Sequence, residues 1–152
     1  MAEFATAAAA IGISNLALTS FKNAHDFIQD MIRAPEQVQR IGDELAALLK
    51  LLNSMLTTQH GLPIVETLSQ EMDLAGVTGA CAKACEELIA KLKQWMADPN
   101  KPSEKDRFLV RIHRSAIGEY RDVIRDTKAT VALAEIMASR KRYTSQPYDC
   151  KH

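Results

Sequence analysis

Glycine, proline and aromatic residues are all sparse in this sequence. Six glycines, five prolines and 5% aromatics supply too few turn formers and too few large sheet-packing side chains for a β-sandwich or barrel. Cysteine is equally thin: Cys81, Cys85 and Cys150. An odd count without framework spacing argues against a disulfide scaffold and for a reducing compartment. Cys81 and Cys85 stand one helical turn apart with no histidine or further cysteine nearby in sequence, so they read as small buried hydrophobes rather than as a metal pair.

Catalytic signatures are missing as well. There is no Gly-rich phosphate loop, no HExxH and no Ser-nucleophile elbow. His25, His60, His113 and His152 are dispersed. Glu66, Glu71, Glu86 and Glu87 do not form the repeated ExxH pattern of a carboxylate-bridged metal site. No catalytic, cofactor-binding or metal-binding residue is assigned, and the chain reads as non-enzymatic.

The uncharged run from Phe4 to Phe21 is preceded by Glu3 rather than by positive charge, unlike a signal peptide. As a helix it would span roughly 27 Å, marginal for a bilayer. Ala5, Ala7, Ala8, Ala9 and Ala10 make it only weakly hydrophobic. It reads as a soluble helix whose membrane activity is conditional.

What is present fits one all-α domain. The 152 residues are 47% apolar and 25% charged, enough for a single core. Alanine and leucine are plentiful, and the spacing predicts four main helices and a short extra one. The first spans about Ala2 to Ile32, with Phe4, Ala8, Ile11, Leu18, Phe21, His25 and Ile28 on one stripe. The second starts at Pro35, a favoured first helical residue, and carries Val38, Ile41, Leu45, Leu48, Leu52 and Met55 to about Thr57. A short helix is expected over Leu62 to Leu74, then a break at Ala75 to Gly79. The third main helix is expected from Thr78 to Ala97, with Cys81, Cys85, Leu88, Leu92 and Trp95 inward.

Asp98-Pro99-Asn100-Lys101-Pro102 is a plain loop. Ser103, with Asp106 three residues on, is close to a capping box for a last helix reaching about Arg140. The expected architecture is an antiparallel four-helix bundle over residues 1–142 with a flexible tail over 143–152.

Charge is balanced overall but not along the chain. Residues 1–98 hold 7 basic and 12 acidic side chains; residues 99–152 hold 12 and 7. The basic third can meet phosphates or acidic surfaces, or the protein's own acidic helices. On the last helix the expected inner stripe is Leu109, Ile112, Ala116, Tyr120, Val123, Thr127, Val131 and Ala134. Arg107, Arg111, Arg114, Arg121, Arg125 and Lys128 fall opposite. This ridge suits anionic lipid headgroups or an acidic partner; the bland alternative is a solvated face paired with the flanking acids. Nucleic acid is disfavoured, since the domain is neutral and no aromatics interleave with the arginines.

The first 60 residues resemble a known family. The carriers are Ala7-Ala8-Ala9-Ala10-Ile11-Gly12-Ile13, the stretch Phe21-Lys22-Asn23-Ala24-His25-Asp26-Phe27-Ile28, then Ala34-Pro35-Glu36-Gln37-Val38 and the leucine-rich helix to Leu56. This order is similar to fungal N-terminal domains found ahead of STAND or NLR-type receptors. They include the HeLo-like group, related in fold to the four-helix domain of MLKL-type necroptosis effectors. The resemblance implies a resting cytoplasmic bundle that homo-oligomerises on activation and attacks membranes through its first helix. It places the membrane-active segment at Phe4, Ile11, Ile13, Leu16, Leu18 and Phe21, with a STAND or NLR-type protein as a partner. No NTP-binding module follows, so the expectation is a stand-alone protein or an excised domain. The rival expectation is a helical adaptor that self-associates or docks a protein without touching lipid.

Overall fold

A computed structural model describes residues 15–57 and 73–145. The expected short helix at Leu62 to Leu74 falls almost wholly outside them. Five helices form among the described residues: α1 (Asn15–Gln29), α2 (Glu36–Thr57), α3 (Leu74–Trp95), α4 (Glu104–Ile112) and α5 (Arg114–Ser145). The all-helical bundle expected from the sequence is present.

The helices pack as a ring in which α1 touches α2 and α3, and α5 closes the far side against both. Side-chain contacts give the directions. Ser20 Oγ donates to Glu86 Oε1 at 2.9 Å, and Lys93 Nζ lies 5.8 Å from the Phe27 ring centre, so α1 and α3 run the same way. Glu44 meets Lys128, and Ser54 Oγ donates to Glu135 Oε1 at 2.8 Å, so α2 and α5 also run the same way. The α1–α2 and α3–α5 pairs are antiparallel; in the latter, Trp95 meets His113.

The stripe expected on α2 is the core. Val38, Ile41, Leu45, Leu48, Leu52 and Met55 are all buried. Spacings of three and four keep such residues on one helix face. Pro35 opens the helix, its carbonyl accepting from Val38 and Gln39 N–H at 2.9 Å each. On α3, Cys81, Cys85, Leu88 and Leu92 are buried as expected, and Met96 joins them just past the helix end. On α1 the buried residues include Ala17 and Ala24 beside Phe21 and Ile28, small side chains that let helices approach closely.

Three boundaries differ from the sequence reading. No break occurs at Ala75 to Gly79: α3 starts at Leu74, capped by Asp73, whose carboxylate accepts from Gly76 N–H at 3.3 Å. A Cβ at Gly76 would lie 2.3 Å from that carboxylate, so this glycine makes room for the cap rather than ending a helix. The last helix is not continuous, because His113 interrupts it between α4 and α5. It also runs on to Ser145, beyond the expected end near Arg140. The Ser103 cap is present in full as a capping box: Asp106 N–H donates to Ser103 Oγ at 3.2 Å and Ser103 N–H to Asp106 Oδ2 at 3.0 Å.

Candidate anion-binding face

The buried line of α4 and α5 decides where the arginines point. It runs Asp106, Val110, Ile117, Ile124, Thr127, Val131 and Ala134, with half-buried His113 and Tyr120 at the intervening positions. These steps alternate four and three, the spacing of a bundle seam. The expected inner stripe is therefore corrected in its first half. Ile112 and Val123 are exposed, while Leu109, Ala116 and Tyr120 are only half-buried. Below Val123 the expected and observed lines merge.

This re-phasing divides the basic ridge into two groups. Three members make contacts within the fold. Arg107 donates from Nη2 to the carbonyl of Arg33 in the α1–α2 turn. Lys128 Nζ lies 2.5 Å from Glu44 Oε2 on α2, and Arg125 Nε lies 4.0 Å from Glu44 Oε1. Glu44 is well shielded from water, so these contacts are screened less than a surface pair. Arg111 and Arg114 are exposed, and Arg121 is half-buried.

The second group continues into a cleft of about 120 Å³ between α2 and α5, lined by Gln37, Arg40, Arg114, Ile117, Gly118 and Arg121. Arg114 and Arg121 flank the buried Ile117 at i−3 and i+4, which brings both beside α2. Arg40 comes from α2, where Glu36 Oε1 accepts from its Nη2 at 2.6 Å. Arg121 Nε is buried without a hydrogen-bond partner among the described residues.

One end of the bundle carries a feature the sequence reading missed. On α4, Phe108 is 59% and Ile112 58% exposed. Lys105 and Arg111 are exposed on the same face, three residues either side of Phe108. Ile32 in the α1–α2 turn is 62% exposed. That turn is tied to this end of the molecule by Ile32 N–H donating to Asn100 O at 2.8 Å and by the Arg107 contact to Arg33. The available signal was the four-and-three seam starting at the buried Asp106, which turns Phe108 and Ile112 outward.

The first-helix residues are placed in part. Phe21 is fully buried, Leu18 half-buried and Leu16 exposed. Phe4, Ile11 and Ile13 lie outside the described residues. Among the described residues no helix is long and apolar enough to cross a membrane, and no group of His, Cys, Asp or Glu could hold a metal ion. Cys81 and Cys85 are buried in the core. Their mutual hydrogen bond drives the two thiols apart, Cys81 below and Cys85 above the ordinary value, and both side chains pack inside the core.

Fold and face together define a helical-bundle domain with a cationic, partly apolar surface. The chain belongs to the family described as pigment biosynthesis cluster protein PigL N-terminal, whose sequence profile matches residues 2–149; it is a fungal-associated helical domain. No curated protein and no solved structure matches the chain.

Proposed function

We propose that this domain is a non-enzymatic, HeLo-like signalling module that docks on anionic membranes and oligomerises there. The observation that carries the reading is the α4 end of the bundle. Phe108, Ile112 and Ile32 stand in water beside Lys105, Arg111 and Arg33. Large apolar side chains ringed by basic ones are the composition of an interfacial helix face: the rings enter the headgroup boundary and the cations meet phosphate. Arg114 and Arg121 extend the charge along α5, while Arg107, Arg125 and Lys128 serve the fold at rest. Phe21 is core in the resting bundle, so a role for the first helix in permeabilising a membrane requires that helix to leave it. The resting protein is cytoplasmic, and its partners are a second copy, anionic lipid and a STAND or NLR-type receptor.

Vesicle flotation with dye leakage tests this reading. Wild-type protein should float with anionic vesicles at low salt, release at high salt, and ignore neutral ones. Phe108→Ser with Ile112→Ser should abolish flotation while leaving the helical circular dichroism intact. Wild-type protein that stays in solution under all conditions overturns the membrane reading.

A second reading rests on a different patch. Leu133 and Ile136 on α5 are half-exposed, three residues apart. This apolar strip suits a protein partner, as in a helical adaptor without lipid binding. Leu133→Ser with Ile136→Ser separates the two readings. It should leave flotation unchanged under the first and remove self-association or partner capture under the second.

A further inference from the structure

We propose that the cleft between α2 and α5 is a binding site for a phosphate group, either a phosphorylated lipid headgroup or a free phosphorylated small molecule. Three arginines, Arg40, Arg114 and Arg121, and Gln37 line one cavity of about 120 Å³, with their guanidinium and amide ends within a side-chain rotation of it. Only N–H donors are needed to hold a tetrahedral dianion, and arginine's planar fork fits two of its oxygens at once. The floor of the cleft is Ile117 and Gly118. A Cβ built on Gly118 meets nothing within 4 Å, so the missing side chain leaves the space open.

Arg121 provides an independent indication. Its Nε is buried and has no acceptor among the described residues. Buried donors are almost always satisfied in folded proteins, and an orphan calls for an explanation such as an absent ion. Arg121 lines the cleft, so a rotation of its side chain would bring the buried Nε to a phosphate oxygen there and supply that acceptor. Glu36 is the nearby acid: it holds Arg40 at rest, and Arg40 would swing from that exposed pair to the ligand. The cleft begins at Arg114, three residues from Arg111 on the apolar-basic end of the bundle. A headgroup in the cleft would therefore be reached by a membrane that α4 touches. The choice of lipid as the source rests on the proposed membrane function; the phosphate chemistry does not.

The test uses the full chain. Calorimetric titration with inorganic pyrophosphate probes the free source. Flotation on phosphatidylcholine vesicles doped with a phosphatidylinositol phosphate, against phosphatidylserine vesicles of equal charge, probes the lipid source. Two variants block the cleft. Arg121→Gln removes a charged donor, and Gly118→Glu fills the open space with a carboxylate while adding a good helix former. Each should weaken pyrophosphate binding about tenfold or more with thermal unfolding retained. Lys83→Gln on the exposed face of α3 should leave it unchanged.

Pyrophosphate binding without any flotation supports the cleft, assigns it a soluble ligand and sinks the membrane function. Flotation equal on both anionic vesicles, with no pyrophosphate heat and no effect of Gly118→Glu, overturns the cleft and leaves the membrane function standing. Pyrophosphate binding that Gly118→Glu and Arg121→Gln do not change also overturns it.

Discussion

The Trp95 indole lies flat on the His113 imidazole, with ring centres 4.3 Å apart and planes within 1°. Trp95 ends α3 and His113 sits at the α4–α5 interruption, so the stack fixes how α5 enters the bundle. Trp95 is the single tryptophan of the chain, so its fluorescence reports the surroundings of this one side chain, the stacked imidazole included. His113→Ala should change its emission and lower stability by about 0.5–1.5 kcal/mol, the range of a stacked aromatic pair. Unchanged emission would mean that the stack does not persist in solution.

Glu44 links stability to surface charge. It neutralises Lys128 and draws in Arg125. Glu44→Ala should cost about 1 kcal/mol in chemical unfolding and free two cations. The same variant should float more strongly with anionic vesicles and respond more steeply to salt. Flotation equal to wild type would restrict the binding face to Arg111, Arg114 and the α4 end.

The capping box gives a pH signature. The backbone hydrogen bond from Ser103 is the main reason that the Asp106 carboxyl is held below its ordinary value of 3.8; a second, weaker one comes from Ala97. A carboxyl lowered on folding adds stability that is complete above its unfolded value and fades as pH falls through its folded one. Stability should therefore decline below pH 3.8. Asp106→Asn should flatten this part of the denaturation profile. Asp106→Ala should cost about 0.5–2 kcal/mol at neutral pH, as other lost caps do.

Two glycines should respond with opposite sign. A Cβ at Gly42 would approach Ile28 Cγ2 to 2.9 Å, where α1 and α2 cross closely. Ile28 is buried and branched, so it yields poorly. Gly42→Ala should lower stability despite the better helix propensity, by about 1–3 kcal/mol of overpacking less a smaller propensity gain. Gly118→Ala faces open space and should raise stability by about 0.5–1 kcal/mol. Thermal melts of both variants check the pair.

The legibility of these elements in the sequence varied with how apolar their buried lines are. The α2 seam is wholly apolar from Val38 to Met55, so its phase is unmistakable. The seam of α4 and α5 uses Asp106, His113, Tyr120 and Thr127 at alternate positions. Three of these have a local reason: Asp106 caps, His113 stacks, and Thr127 Oγ1 donates to Val123 O at 2.8 Å. The apolar residues Ile112 and Val123 instead lie off the seam. Counting apolar residues thus rotated the first half of that helix, hiding both the exposed Phe108–Ile112 pair and the approach of Arg114 and Arg121 to α2. The cleft needs Arg40, a residue far away in sequence, and no local pattern carries that information.

The ring order of the helices has a consequence for how the chain is made. Among the described residues the most extensive pairing is α2 with α5, and the Ser54–Glu135 contact within it joins residues 81 positions apart. During synthesis, α1, α2 and α3 leave the ribosome before α5 exists. The α1–α2 hairpin can form early, but the α2 surface that α5 will cover stays wet until the last helix is complete. Folding is therefore committed late, across a large loop closure, and the nascent chain displays a leucine-rich surface of the kind that chaperones hold.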